Sequence, residues 1–168
     1  GAGAHRAGGG LMDAYRFTGG TAVVTGAASG IGEALAVQRR SLGEDNPSVL
    51  STRSALANVL TRAGRHAEAV AVTRDVLARR ERTLGPDHAF SARSLYNLAA
   101  VLRKQGTRAS LAEARTVAVR AVARYRAAFP PESREMGYVY LEQGHVLRAL
   151  DERTEAARAY RQAVAAFR

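Results

Sequence analysis

Leu35-Ala-Val-Gln-Arg-Arg-Ser-Leu-Gly43 returns 42 residues later as Leu77-Ala-Arg-Arg-Glu-Arg-Thr-Leu-Gly85. Gly64-Arg-His-Ala-Glu-Ala69 returns as Gly106-Thr-Arg-Ala-Ser-Leu-Ala-Glu-Ala114, with three residues inserted. Glu113-Ala114 comes back 42 residues on as Glu155-Ala156. A period in this range belongs to stacked supersecondary units. Each unit leaves an apolar face that only its neighbours cover.

The repeat unit is helical. Asn46-Pro47 opens a helix, since asparagine caps free amides and proline fits a first turn. The spacing predicts helices over about 47–63, 67–84, 89–105, 110–128, 132–149 and 153–167. Gly64, Gly85-Pro86 and Pro130-Pro131 separate them. Apolar stripes follow the helical period. Val49, Leu56 and Leu60 form one, and Leu95, Leu98, Ala99 and Leu102 another. Ala114, Ala118, Ala121, Val122 and Tyr125 form the fourth helix's stripe. The last two read Met136, Tyr140, Gly144, Leu147 and then Ala156, Tyr160, Ala163, Val164, Phe167. Small residues recur where the two helices of one hairpin must cross: Ala57 with Ala69, Ala99 with Ala114, Gly144 with Ala156.

Composition sets the bounds. Of the 16 glycines, 11 fall in residues 1–43, so a Gly-rich leader precedes a helix-favouring body. The sequence has no cysteine, which excludes disulfides and thiolate chemistry. It has no apolar run long enough to span a membrane. It also lacks the apolar core of a secretory signal, so a cytoplasmic location is the default. The net charge is +10, and 24 of the 25 basic residues are arginine. Such a surface attracts acidic peptides or nucleic acid at long range. Arg115, Arg120, Arg124 and Arg126 make the fourth helix the most basic. Few aromatic side chains interleave with them for base stacking, which argues against nucleic acid. Glu142-x-x-His145 has the spacing of half a di-metal site on a helix, but no second half exists, so no metal site is expected. No serine has a His/Asp set, so no catalytic residue is assigned. The chain starts without methionine and ends inside an amphipathic pattern, so it reads as a piece of a longer protein.

The paired helices, the small crossing residues and the linkers Leu42-Gly-Glu-Asp-Asn-Pro47 and Leu84-Gly-Pro-Asp-His88 resemble the tetratricopeptide repeat of the kinesin-light-chain type. The resemblance covers residues 35–168, with repeats at about 47–85, 89–128 and 132–168. It implies an all-α solenoid of about three antiparallel hairpins behind a disordered or poorly packed leader, residues 1–34. The sequence departs from the pattern in the third repeat, where Gln143 replaces a leucine and Asp151 replaces the hairpin glycine. The implied function is protein–protein interaction, as a scaffold or a holder of a peptide or partner helix, without catalysis or cofactor. Similar arrays often follow nucleotide-binding signalling domains in bacterial regulators, which implies a larger bacterial protein. The first helix of each hairpin lines the family's concave groove. That places Arg53, Asn58, Arg93, Asn97, Tyr138 and Glu142 in the groove, with Asn58 and Asn97 at clamp-like positions. The basic members of a carboxylate clamp are missing: Ser54, Tyr138 and Glu142 stand in their places. The partner expected is a protein or peptide, acidic or mixed in charge. Glu142 is expected to favour a basic or neutral group at the third repeat.

The leader carries a second resemblance. Phe17-Thr-Gly-Gly-Thr-Ala-Val-Val-Thr-Gly-Ala-Ala-Ser-Gly-Ile-Gly32 reads as a strand at 21–25, a glycine turn and a helix start. It is similar to the cofactor motif of short-chain dehydrogenases, which Thr25, Gly26, Gly30 and Gly32 match. Glycines there let the backbone approach a pyrophosphate at a helix N-terminus. The rest of such a site is missing. No second strand follows, no acid awaits the ribose, and Ala100 stands where the family's Tyr-x-x-x-Lys pair would need tyrosine before Lys104. The leader thus reads as a dehydrogenase-like fragment joined to repeats by fusion, truncation or a reading-frame artefact. The alternative function is a truncated NAD(P)-dependent oxidoreductase piece. A short helix from about Ile31 to Leu42 is expected to pack Leu35 against the first repeat.

Overall fold

In the computed structural model, which describes residues 26–168, seven helices follow one another. They are α1 (Gly26–Leu42), α2 (Pro47–Arg62), α3 (His66–Leu84), α4 (Ala89–Gln105), α5 (Arg108–Ala128), α6 (Arg134–Ala149) and α7 (Arg153–Ala166). No strand occurs among the described residues. Each helix packs on the next, and α4 also touches α6 across the array. Short connections force the antiparallel pairing. The result is a tetratricopeptide-like α-solenoid of three hairpins, α2/α3, α4/α5 and α6/α7, preceded by α1.

Local chemistry starts the helices at matching places. Asn46 accepts a bond from the Ser48 amide at 2.9 Å, His88 Nδ1 from Phe90 at 3.1 Å, and Ser133 from Met136 at 3.4 Å. These three caps open α2, α4 and α6. Within the hairpins, Gly64 and Gly106 turn with φ of 75° and 73°. Asp151 takes the same left-handed turn at 61°. A short polar side chain tolerates that region better than most, which is how the third hairpin closes without glycine.

Leu95, Ala92 and Leu35 have no exposure at all, and one apolar cluster runs from Leu35 through α2–α5 to Val146. The small residues sit buried at the crossings: Ala57, Ala69, Ala99, Ala114, Gly144 and Ala156. The α6/α7 crossing is so close that a Cβ added at Gly144 would overlap the Tyr160 ring. Val164 and Phe167 depart from the expected stripe and are exposed. Phe167 turns its ring edge-on to Tyr138, 5.2 Å away.

The expectation for the leader is corrected in one respect. Thr25 and the expected strand at 21–25 lie outside the described residues. Gly26, Gly30 and Gly32, expected in a turn before a helix, are instead inside α1, which starts five residues before the expected Ile31. A Cβ at Gly30 or Gly32 would meet nothing within 4 Å. No close backbone approach therefore calls for glycine there, and the intervening alanines favour helix. Leu35 packs in the same core cluster as Val49 and Leu56, as the repeat required.

Candidate partner-binding groove

The groove residues inferred from sequence fall into three groups. Asn58 and Asn97 come together. They line one tight crevice among α2, α3 and α4, with Ser54, Thr73 and Ser94 beside them and no room for a water molecule. They are not equivalent positions, however. Asn58 follows the small residue Ala57, whereas Asn97 stands two before Ala99. Arg93 and Tyr138 also come together. They line a cleft of about 520 Å³ with Phe90, Tyr96, Tyr125, Phe129 and Glu135. Phe90 and Tyr138 are exposed, while Tyr125 is buried at the floor. Its ring lies 5.1 Å from Phe129 and 6.4 Å from Tyr96. Burial pushes the phenols of Tyr125 and Tyr96 above their ordinary range, so both stay neutral donors.

Arg53 and Glu142 do not join these clefts. Arg53 bonds Glu44 at 3.1 Å and Asp75 at 2.6 Å. The Asp75 bond draws it toward α3, and its position in the repeat matches that of the fully buried Leu95, 42 residues on. Glu142 is buried, and Arg103 of α4 holds it at 2.6 Å and 3.3 Å. His145 Nδ1 lies 3.7 Å from the same carboxylate. The expectation that Glu142 selects a basic group is therefore corrected. Its charge is already balanced by Arg103, which bridges α4 and α6.

Sequence reasoning missed the aromatic cleft. Its rings come from α4, the end of α5 and α6, so no single helical stripe announces them. The signal was faint: Phe90 is the aromatic residue of α4's first turn, and Phe129 follows the last residue of α5.

On the opposite face, five arginines of α3 and α5 meet partners in neighbouring repeats. Arg74 of α3 pairs with Glu113 of α5 at 2.6 Å, and Arg120 of α5 with Glu81 of α3 at 3.5 Å. Arg115 pairs with Glu152 at 3.0 Å, and Arg124 with Asp87. Arg126 donates to the Tyr140 hydroxyl at 3.2 Å. Each contact links neighbouring repeats. Arg115, Arg120 and Arg124 of the basic α5 stripe are thus taken up by acids of neighbouring repeats, while Arg126 meets a phenol. These pairs are largely exposed, and an exposed pair contributes about 0–1 kcal/mol. Replacing Arg115, Arg120 or Arg124 by alanine should therefore cost no more than about 1 kcal/mol each, read as a small shift of the urea midpoint. By contrast Arg62, Arg93, Lys104 and Arg148 on α2, α4 and α6 are exposed and have no ion pair among the described residues.

The fold defines a helical-repeat solenoid of the tetratricopeptide type. A tetratricopeptide repeat model matches residues 49–89. No curated protein matches the sequence. Two solved structures of a Podosopora anserina protein, described as putative kinesin light chain nearly identical TPR-like repeats, superpose with TM-scores of 0.69 and 0.71. Both are 24% identical over 85% of this chain, the second being a single-substitution variant. BtubC (BKLC) from P. vanneervenii superposes with a TM-score of 0.72 at 18% identity over 83% of this chain. The chain spans 66% of the length of the first two and 55% of the third. Among the described residues, no helix is long and apolar enough to cross a membrane.

Proposed function

We propose that this chain is a protein–protein interaction module. It holds an extended peptide or partner helix along the concave face lined by α2, α4 and α6. The observation that carries the reading is the contrast in charge use. Arg74, Arg115, Arg120 and Arg124 of α3 and α5 spend their charge on neighbouring repeats. Arg62, Arg93, Lys104 and Arg148 on α2, α4 and α6 stay exposed without an ion pair among the described residues, and Arg93 lines the aromatic cleft. Aromatic rings and unpaired guanidinium groups are the side chains that dominate protein interfaces. An acidic or mixed partner suits the charge.

The module is not an enzyme in this reading. It acts in the cytoplasm as part of a larger bacterial protein, with residues 35–168 as the repeat unit and 1–34 as its leader. Arg93, Asn97 and Tyr138 make the principal contacts, and Asn58 bonds the ligand backbone. Arg53 and Glu142 support the groove walls from within their ion pairs.

The test is partner capture from lysate of the source cell. The double variant Arg93→Glu/Asn97→Ala should weaken capture by about tenfold or more, since a reversed charge and a lost hydrogen bond together exceed about 1.4 kcal/mol. Helix content should not change. Capture that survives this change but is lost with Arg115→Glu/Arg124→Glu would place the interface on the other face.

A further inference from the structure

Arg80 is a buried charge that the groove reading leaves unused. It is 5% exposed, near the C-terminal end of α3. Its Nη1 donates to Ser94 Oγ at 2.9 Å and to the Phe90 carbonyl at 3.4 Å. The Phe90 ring centre lies 5.4 Å from its guanidinium carbon. None of these partners carries a negative charge. The other arginines of α3 (Arg74, Arg79 and Arg82) each hold a carboxylate. Arg80 has none among the described residues. Burial lowers its pKa, and Arg93 pushes the same way. A guanidinium has five donors and does not give up its proton, so an uncompensated one carries a desolvation cost. The fold does not demand it: at the equivalent place in the next repeat stands Tyr125, equally buried.

Arg80 lines a cleft of about 490 Å³ between α1, α2, α3 and the start of α4. Ser48, Ser51, Thr52 and Thr83 share the lining; the Thr52 hydroxyl donates to Gln38 and the Thr83 hydroxyl to the Arg79 carbonyl. Asp45 lies on the same lining, but its carboxylate is held at 2.8 Å by both Arg79 and Arg82. Among the described residues, Arg80 is the one cation on that lining.

We propose that this cleft is an anion site, and that its occupant is the carboxylate of an aspartate or glutamate in the bound polypeptide, with Arg80 as counter-ion. The polypeptide rests on the groove reading; the unpaired guanidinium does not. A carboxylate meets a guanidinium in two parallel bonds, and one guanidinium balances one carboxylate. A phosphate dianion would leave net charge in a cleft lined by a single cation. Phe90 walls both this cleft and the aromatic one, so the two sites adjoin on one surface.

The test follows the Arg80 Nε–H resonance of the ¹⁵N-labelled chain during three titrations. The probes are a capped Ala-Ala-Glu-Ala-Ala peptide, its glutamine counterpart and inorganic phosphate. The glutamate peptide should move the resonance with saturation, and the glutamine peptide should not. Phosphate should bind about tenfold more weakly than the glutamate peptide, and Arg80→Gln should cost about tenfold in affinity for that peptide. Arg80→Leu should keep or raise the unfolding midpoint, because it removes a buried charge. A lowered midpoint for Arg80→Leu would make Arg80 a structural residue and overturn the proposal. Tighter binding of phosphate than of the glutamate peptide would overturn the carboxylate assignment. Saturable shifts at Asn97 and Tyr138 with Arg80 silent would reject the anion site and keep the groove. A response at Arg80 alone would support the anion site and count against the groove.

Discussion

Arg103→Ala is expected to lower the stability of the folded chain by about 3 kcal/mol, the low end of the cost of removing one partner from a buried ion pair. The size comes from Glu142. Its side chain is 7% exposed, and Arg103 bonds both of its oxygens. Without Arg103 the carboxylate stays buried between α4 and α6 with His145 as its remaining neighbour, at 3.7 Å. Arg103 itself is 25% exposed, which admits some water and keeps the loss at the lower end. Adding Glu142→Gln should recover part of it, since the neutral amide costs less to leave unpaired. Equilibrium unfolding in urea of the two single variants and the double variant measures the coupling. A loss below about 1 kcal/mol for Arg103→Ala would mean that the pair behaves like an exposed one.

Gly144→Leu is expected to cost about 3 kcal/mol, near the top of the range for overpacking. A Cβ there overlaps three carbons of the Tyr160 ring, the farthest of them at 3.0 Å, so α6 and α7 must separate or the ring must leave. Gly144→Ala should cost less, because it sets one carbon against the Tyr160 ring where leucine sets four. Tyr160→Ala in the Gly144→Leu chain should restore part of the loss by removing the ring. Gly30 gives the opposite sign. It is also helical, but a Cβ there meets nothing within 4 Å, so Gly30→Ala should stabilise by up to about 1 kcal/mol. Thermal unfolding of these variants separates the two cases. Equal effects at Gly30 and Gly144 would show that crossing distance is not what glycine serves here.

The helices were legible in the sequence because periodicity, caps and turn residues agreed. Asn46, Gly64, Gly106 and the small crossing residues are local signals with a direct physical reading. The repeat also holds information that helical stripes do not use. Arg53 matches Leu95 across the 42-residue period, which marks an inward position and removes it from the groove. Four cross-repeat ion pairs lie 37 or 39 residues apart, a little under one period, so an acid near that offset accounts for Arg74, Arg115, Arg120 and Arg124. Charge counted by helix exaggerates the basic face, because the neutralising acids sit in other repeats. Glu142 misleads for the same reason: its partner Arg103 is 39 residues earlier. The aromatic cleft needs three elements to meet, which a one-dimensional pattern does not encode. The glycines of the leader mislead in the other direction. A glycine motif fixes a turn only when a strand and a ligand hold it, and in α1 those residues continue a helix.

The most direct measurement of the central claim is hydrogen exchange on the chain with and without a captured partner. Backbone amides in α4 and α6, around Arg93, Asn97 and Tyr138, are predicted to gain protection together with the turn before Phe90. The outward faces of α3 and α5, around Arg74, Arg115 and Arg120, are predicted to exchange as before. Protection confined to α3 and α5, with α4 and α6 unchanged, would contradict the account.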